Sequence, residues 1–234
     1  MSAKFWLLRM PRDQALVPWV DSELERMTCP EDPATLRVGA RIAGSTVRAD
    51  PRALKGFAWH LEPFISPKTL HLLRDEGVTG FETRPVKVVF PDDVELTPPE
   101  LHELLVTGWG GFAAPAAGVR LVHACSTCGL RQYEIADPSR LIDPTAWDGS
   151  DLFVVWPAPQ YFFASGRLAG ILRREQVSGL ELIPAADIPR EKGARIGLSP
   201  GALRAHMPAD RARELEQRFG LSNWLVEPGR PNSH

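Results

Sequence analysis

One feature narrows the choice of folds more than any other: a stretch of the chain recurs 99 residues later. Leu73-Arg-Asp-Glu-Gly-Val-Thr-Gly-Phe-Glu-Thr-Arg-Pro85 lies over Leu172-Arg-Arg-Glu-Gln-Val-Ser-Gly-Leu-Glu-Leu-Ile-Pro184. Seven of the 13 positions are identical, and Thr79/Ser178 and Phe81/Leu180 exchange similar side chains. Chance alone gives about one identity in twenty positions. Each copy follows an apolar strand and a proline, so each reads as strand, helix, Gly turn, strand. The fold class expected is therefore α+β, with two related β-α-β units over residues 56–90 and 151–184.

The remaining segments are read by pattern. Residues 4–10 suggest an edge or starting strand, and residues 21–27 a short helix. Ser66 is a natural N-cap for a helix that starts at Pro67, because proline tolerates the first helical position. Gly77 suits that helix's end. Residues 81–90 read as a strand whose Pro85 favours an edge or a bulge. Residues 99–106 suit a helix, the glycine-rich residues 108–118 a loop, and residues 159–176 one continuous helix. After Arg190 the character changes, with short helices expected from Ser199 and over residues 209–219. The organisation expected is an α+β region, 1–189, and a helical C-terminal extension, 190–234.

Composition sets limits on function. The 234 residues suffice for a sizeable core without disulfide staples. The balance of 27 basic and 29 acidic residues removes any strong electrostatic case for nucleic acid as a partner. The longest uncharged stretch, residues 104–119, is short and broken by glycines and a proline, so no membrane span is expected. The N-terminal apolar run is too short for a signal-peptide core. These readings point to a cytoplasmic protein.

The cysteines carry the most specific motif. Cys125-Ser-Thr-Cys128-Gly129 precedes an alternating stretch, Leu130-Arg-Gln-Tyr-Glu-Ile135, rather than a helix. A redox CxxC opens a helix whose N-terminus stabilises the thiolate. A strand–CxxCG–strand run instead suits a zinc knuckle, in which the glycine permits the tight turn. Tetrahedral zinc takes four ligands. Cys29 is the third cysteine and stands in Cys29-Pro-Glu-Asp32, where a carboxylate occupies the second ligand position. The candidate metal site is Cys125, Cys128, Cys29 and Asp32, with His123 as an alternative fourth ligand and zinc in a structural role.

These residues together resemble the bacterial double-CXXCG motif family. The opening strand Lys4-Phe-Trp-Leu-Leu-Arg9, the CxxCG at 125–129, Asp151-Leu-Phe, Val177-Ser-Gly-Leu and Pro184 match its pattern, as does the earlier block 70–85. The resemblance covers most of residues 4–189. The first motif departs from it: Cys29 and Pro30 match, but Asp32 stands in the second Cys position and Pro33 in the Gly position. Members include immunity proteins that neutralise toxins delivered by sibling cells. The resemblance implies a cytoplasmic protein that binds a cognate toxin, with any metal structural.

No Walker A or H-E-x-x-H pattern is present. The readings that compete with an immunity protein are a zinc-stabilised adaptor and an enzyme of unrecognised type. The stretch from 92 to 103 carries Asp92, Asp93, Glu95, Glu100 and Glu103 and no Lys or Arg. An acidic face accelerates association with basic partners. These five residues are candidate partner contacts, with Trp109 as a candidate aromatic anchor.

Overall fold

The computed structural model describes residues 4–20, 23–29, 32–43, 46–60, 62–91, 95–190 and 195–221, with backbone alone for 23–29 and 32–43. The fold is mixed α+β and mostly sheet. In chain order the strands begin with β1 (Phe5–Arg9), β2 (Glu23–Cys29), β3 (Asp32–Ala43), β4 (Thr46–Arg48), β5 (Phe57–Trp59) and β6 (Pro63–Ile65). Helix α1 (Pro67–Asp75) leads to β7 (Phe81–Val89), β8 (Leu101–Val106), β9 (Gly108–Phe112), β10 (Val119–Ala124) and β11 (Arg131–Ile135). Then come β12 (Leu152–Trp156), β13 (Ala158–Ser165), α2 (Gly166–Arg174), β14 (Glu181–Pro184), β15 (Arg195–Leu198) and α3 (Ala209–Phe219). No helix among the described residues is long and apolar enough to cross a membrane.

The strands form two five-stranded sheets, in the orders β14-β1-β13-β12-β9 and β4-β7-β8-β6-β5. A three-stranded sheet, β10-β11-β15, and the hairpin β2-β3 complete the set. In the first large sheet α2 connects β13 to β14, and β1 lies between them, antiparallel to both. In the second, α1 connects β6 to β7, and β8 lies between them, again antiparallel to both. The registers also correspond. Ala164 and Pro184 both face Trp6 of β1, while Ile65 and Pro85 both face His102 of β8.

The helices start and stop alike. Ser66 accepts a hydrogen bond from the Thr69 N–H, and Ser165 accepts one from the Leu168 N–H. Each cap satisfies one of the donors that a first helical turn leaves open. At the other end the Val78 N–H donates to the Leu73 carbonyl, and the Val177 N–H to the Leu172 carbonyl, both at 2.9 Å. Gly77 (φ 60°) and Gln176 (φ 50°) take the left-handed conformation at this closure.

The loops after the two helices cross to the opposite sheet. The Leu152 N–H donates to the Thr79 carbonyl at 3.1 Å, and the Phe57 N–H donates to the Ser178 carbonyl at 2.8 Å. Gly80 and Gly179 make these approaches feasible: a Cβ on either would lie 2.1 Å from a backbone oxygen, that of Leu152 or Phe57.

One core cluster joins both large sheets, drawing on Trp6, Phe57, Trp59, Ile65, Phe153 and Phe163 among others. A second, smaller cluster with Ala58, Phe64, Val86, Val88 and Leu101 covers the opposite face of the β4-β7-β8-β6-β5 sheet. Along β5 and β6 the residues alternate between the two clusters, as the period of a strand requires. The segment after Arg190 packs into the larger cluster through Leu203, Met207, Ala212, Leu215 and Leu221, and its β15 pairs with β11.

Several local expectations are corrected. Residues 4–10 hold the starting strand, β1, but it lies inside its sheet rather than at an edge. Residues 23–29 form a strand in place of the expected helix, and residues 101–106 form β8. The expected loop at 108–118 contains β9, and of the expected helix at 159–176 only Gly166–Arg174 is helical, the residues before it belonging to β13. Pro85 is accommodated because β4 pairs with β7 only at Lys87–Val89, leaving Pro85 beyond its reach.

Candidate functional site

The CxxCG segment is a turn closing an antiparallel pair. β10 and β11 pair antiparallel from Val119↔Ile135 to Ala124↔Arg131, with a register shift between Leu121 and His123. The Cys125 N–H donates to the Leu130 carbonyl at 2.8 Å, and the Gly129 N–H donates to the Cys125 carbonyl at 3.0 Å. Gly129 sits at φ 70°, and a Cβ there would come within 2.8 Å of the Pro200 ring. A side chain at this position would therefore be strained twice over. Cys125 is buried against Leu130 and Cys128, and Cys128 is half-buried. Both are thiols rather than halves of a disulfide.

Two thiols on a turn of this kind make a soft, two-ligand start to a metal site. His123 lies on β10 and is exposed. Across the β2-β3 hairpin the backbone of Cys29 is paired with that of Asp32, while their side chains lie outside the described residues. No group of three or more His, Cys, Asp or Glu side chains suited to a metal occurs among the described residues. β3 runs beside the 3-10 turn Ala202–Ala205, and Pro200, just before that turn, packs on Gly129. The segment that carries Asp32 and the CxxCG turn are thus linked through one short connection.

The acidic stretch divides. Asp92 and Asp93 lie outside the described residues. Glu95 and Glu100 are exposed, as the expected contact face requires. Glu103 is not at the surface: its side chain is 1% exposed and pairs with Arg84, whose Nε donates at 2.9 Å. It faces the core because β8 is a strand, which turns Glu103 inward. Trp109 is likewise corrected as a surface anchor. It is 4% exposed on β9 and stacks on Phe219 of α3 with ring centroids 5.6 Å apart. His60 lies 3.4 Å from the Glu62 carboxylate, the environment of a satisfied histidine beside a sheet.

Sequence reading missed the polar junction of the two large sheets. Asp151, 6% exposed, accepts from the Thr79 N–H (3.1 Å) and hydroxyl (3.3 Å), the Ser165 hydroxyl (2.7 Å) and Arg167 (2.5 Å). The sign was present in the Thr79/Ser178 correspondence, which keeps a hydroxyl at this loop in both copies. Asp137 holds a second junction. The Ser139 hydroxyl, ahead of Arg190, keeps its carboxyl below the usual carboxylate range. It pairs with both Arg140 and Arg190 and ties the β11 exit to the chain beyond β14.

Compared with known proteins, the chain matches no family model and no curated protein.

Proposed function

We propose that this chain is an immunity-type binding protein of the double-CXXCG kind, acting in the cytoplasm, which neutralises a cognate protein toxin by covering part of its surface. The observation that carries the reading is the set of segments that resemble the family, because four of them fall at joints of the fold. Residues 4–9 contain the strand that β13 and β14 enclose. Residues 125–129 form the turn between β10 and β11. Asp151 collects the donors between the sheets, and residues 177–180 form the loop that crosses to Phe57. A fold with these joints needs residues of these types, which links the resemblance to physical demand. On this reading Glu95, Glu100, Asp92 and Asp93 form the face offered to a basic toxin.

The finer architecture we read as two copies of one β-β-α-β unit flanking a CxxC knuckle. β5-β6-α1-β7 takes β8 as its inserted strand, and β12-β13-α2-β14 takes β1 from the N-terminus. Equal registers of the helix-flanking strands against the inserted strand, equal caps and reciprocal loop contacts support it, and the arrangement resembles the self-complementary contact of a two-fold dimer. Zinc, if carried, would be held by Cys125 and Cys128 with Cys29 and Asp32, or with His123 as fourth ligand. It would contribute folding energy rather than catalysis.

The test is direct. The genes beside its own are searched for a secreted or lipoprotein toxin, the chain is produced together with that toxin, and growth and complex formation are followed; neighbours of one metabolic pathway with no toxin among them would count against the proposal. Restored growth with a stable complex is expected. A toxin that neither binds nor is neutralised would contradict the proposal.

A further inference from the structure

A cleft of about 470 Å³ opens between β9, the loop 143–148 and one face of α3. Its volume falls in the range of small-ligand sites. The floor is aromatic. Phe112 stands edge-on to both Trp109 and Phe219, at 80° and 89°. Gly111 keeps the floor close to the loop: at φ 79°, a Cβ there would be 2.5 Å from that of Ala146.

The charges around the cleft fall into two classes. Asp148 and Arg211 are occupied by the fold. Asp148 accepts from the Trp109 N–H at 2.8 Å and from Ser150, and Arg211 donates to the Thr107 carbonyl at 3.0 Å and pairs with Glu214. They approach each other to 3.9 Å and link the loop to the helix. Asp143 and Arg218 are not occupied in this way. Asp143 uses one oxygen to accept from the Thr145 N–H and hydroxyl, and its other oxygen accepts nothing among the described residues. The same hydroxyl keeps its carboxyl below the usual range, so it is an anion at neutral pH. Arg218 lies 5.1 Å over the Phe219 ring and has no ion-pair partner among the described residues. It sits two helical turns from Arg211, about 10 Å along α3.

We propose that this cleft binds a small zwitterion with an apolar body, an amino acid or short peptide. Its ammonium goes to Asp143, its carboxylate to Arg218 and its side chain onto Phe112 and Phe219. One uncommitted charge of each sign disfavours a simple anion or a simple cation, each of which meets a like charge on one wall. An arginine fork suits a carboxylate, and an aromatic floor suits a flat or branched apolar group. The site goes beyond the toxin-binding reading and does not depend on it.

Calorimetric titration of the full chain tests this without any toxin. The probes are phenylalanine and the dipeptide alanylphenylalanine, against phenylalanine amide and N-acetylphenylalanine, which each lack one charge. At least one zwitterion is expected to bind at millimolar concentration or below, and which one binds gives the span between the two charges. Each single-charge control is expected to be weaker by about tenfold, the size of one lost charge-assisted hydrogen bond. Arg218→Gln should weaken the zwitterion and leave the amide unchanged, and Asp143→Asn should weaken it and leave the N-acetyl compound unchanged. Both residues are at or near the surface, and circular dichroism checks that the variants fold. Absence of binding by both zwitterions, equal binding of the controls, or wild-type affinity in both variants would overturn the proposal.

Discussion

Asp151 is a polar tie between the two large sheets. A carboxylate buried this far is costly unless its oxygens are satisfied, and here donors from β13, α2 and the loop after α1 converge on it. Asp151→Ala leaves the Thr79 N–H and the Ser165 hydroxyl without their acceptor. It is expected to cost about 3 kcal/mol in chemical denaturation. A loss under about 1 kcal/mol would mean that water replaces the carboxylate. Tyr133 gives a test in alkali. It is fully buried, and burial pushes its phenol from 10.0 up to about 12. A raised folded-state value means that the associated stability is complete below pH 10 and is lost as pH rises towards 12. Denaturation midpoints are therefore expected to fall across that window, by an amount worth about 3 kcal/mol. Tyr133→Phe should flatten the fall, and an equally steep fall in that variant would refute the assignment. Neither residue's burial declares itself in the sequence. Asp151 reads as the start of a strand, and its partner Thr79 is 72 positions away.

At the scale of elements, local signals were legible where local chemistry decides. Ser66-Pro67 fixed the start of α1, and the apolar run before Pro157 marked β12. The strand–CxxCG–strand order was readable because neighbouring residues close that turn. β8 was misread because Leu101, Leu104 and Leu105 fall at helical spacing, and a strand covered on both faces loses its alternation. The glycines of β9 suggested a loop. They answer a demand from elsewhere: a Cβ at Gly108 would lie 2.1 Å from the Leu152 carbonyl oxygen. The crossing loops yield a paired prediction. Gly80→Ala and Gly179→Ala each force a left-handed backbone and a clash with a carbonyl, and each is expected to cost about 2 kcal/mol or more. Comparable losses in thermal unfolding would fit two equivalent loops. A neutral result at either would break the equivalence.

For the whole molecule, the repeat reached further than the segment boundaries did. The offset of 99 residues, read in one helix and its loop, also relates the two helix caps and the registers of the strands on either side of each helix, while the partners of the crossing loops, Phe57 and Leu152, do not correspond at that offset. It left open which strand each sheet encloses, because β1 and β8 enter from different parts of the chain. The candidate contact face was only half legible for a similar reason. Charge can be read from sequence, but exposure depends on distant neighbours, and Arg84 and Phe219 take Glu103 and Trp109 out of reach. At this scale the knuckle proposal makes its own prediction. Elemental analysis should find about one zinc per chain. Cys125→Ser should then lower the melting temperature, since structural zinc adds folding energy. An unchanged melting temperature with the metal lost would contradict that role.

The central claim is that this chain neutralises a toxin by binding it. The most direct measurement is titration of the purified chain against a candidate toxin sought among the products of neighbouring genes, with complex formation and toxin activity followed in the same samples. The account expects toxin activity to fall in step with complex formation, and charge reversal at Glu95 and Glu100 to weaken binding most at low salt. A toxin that stays fully active and unbound at saturating concentrations of the chain would contradict it.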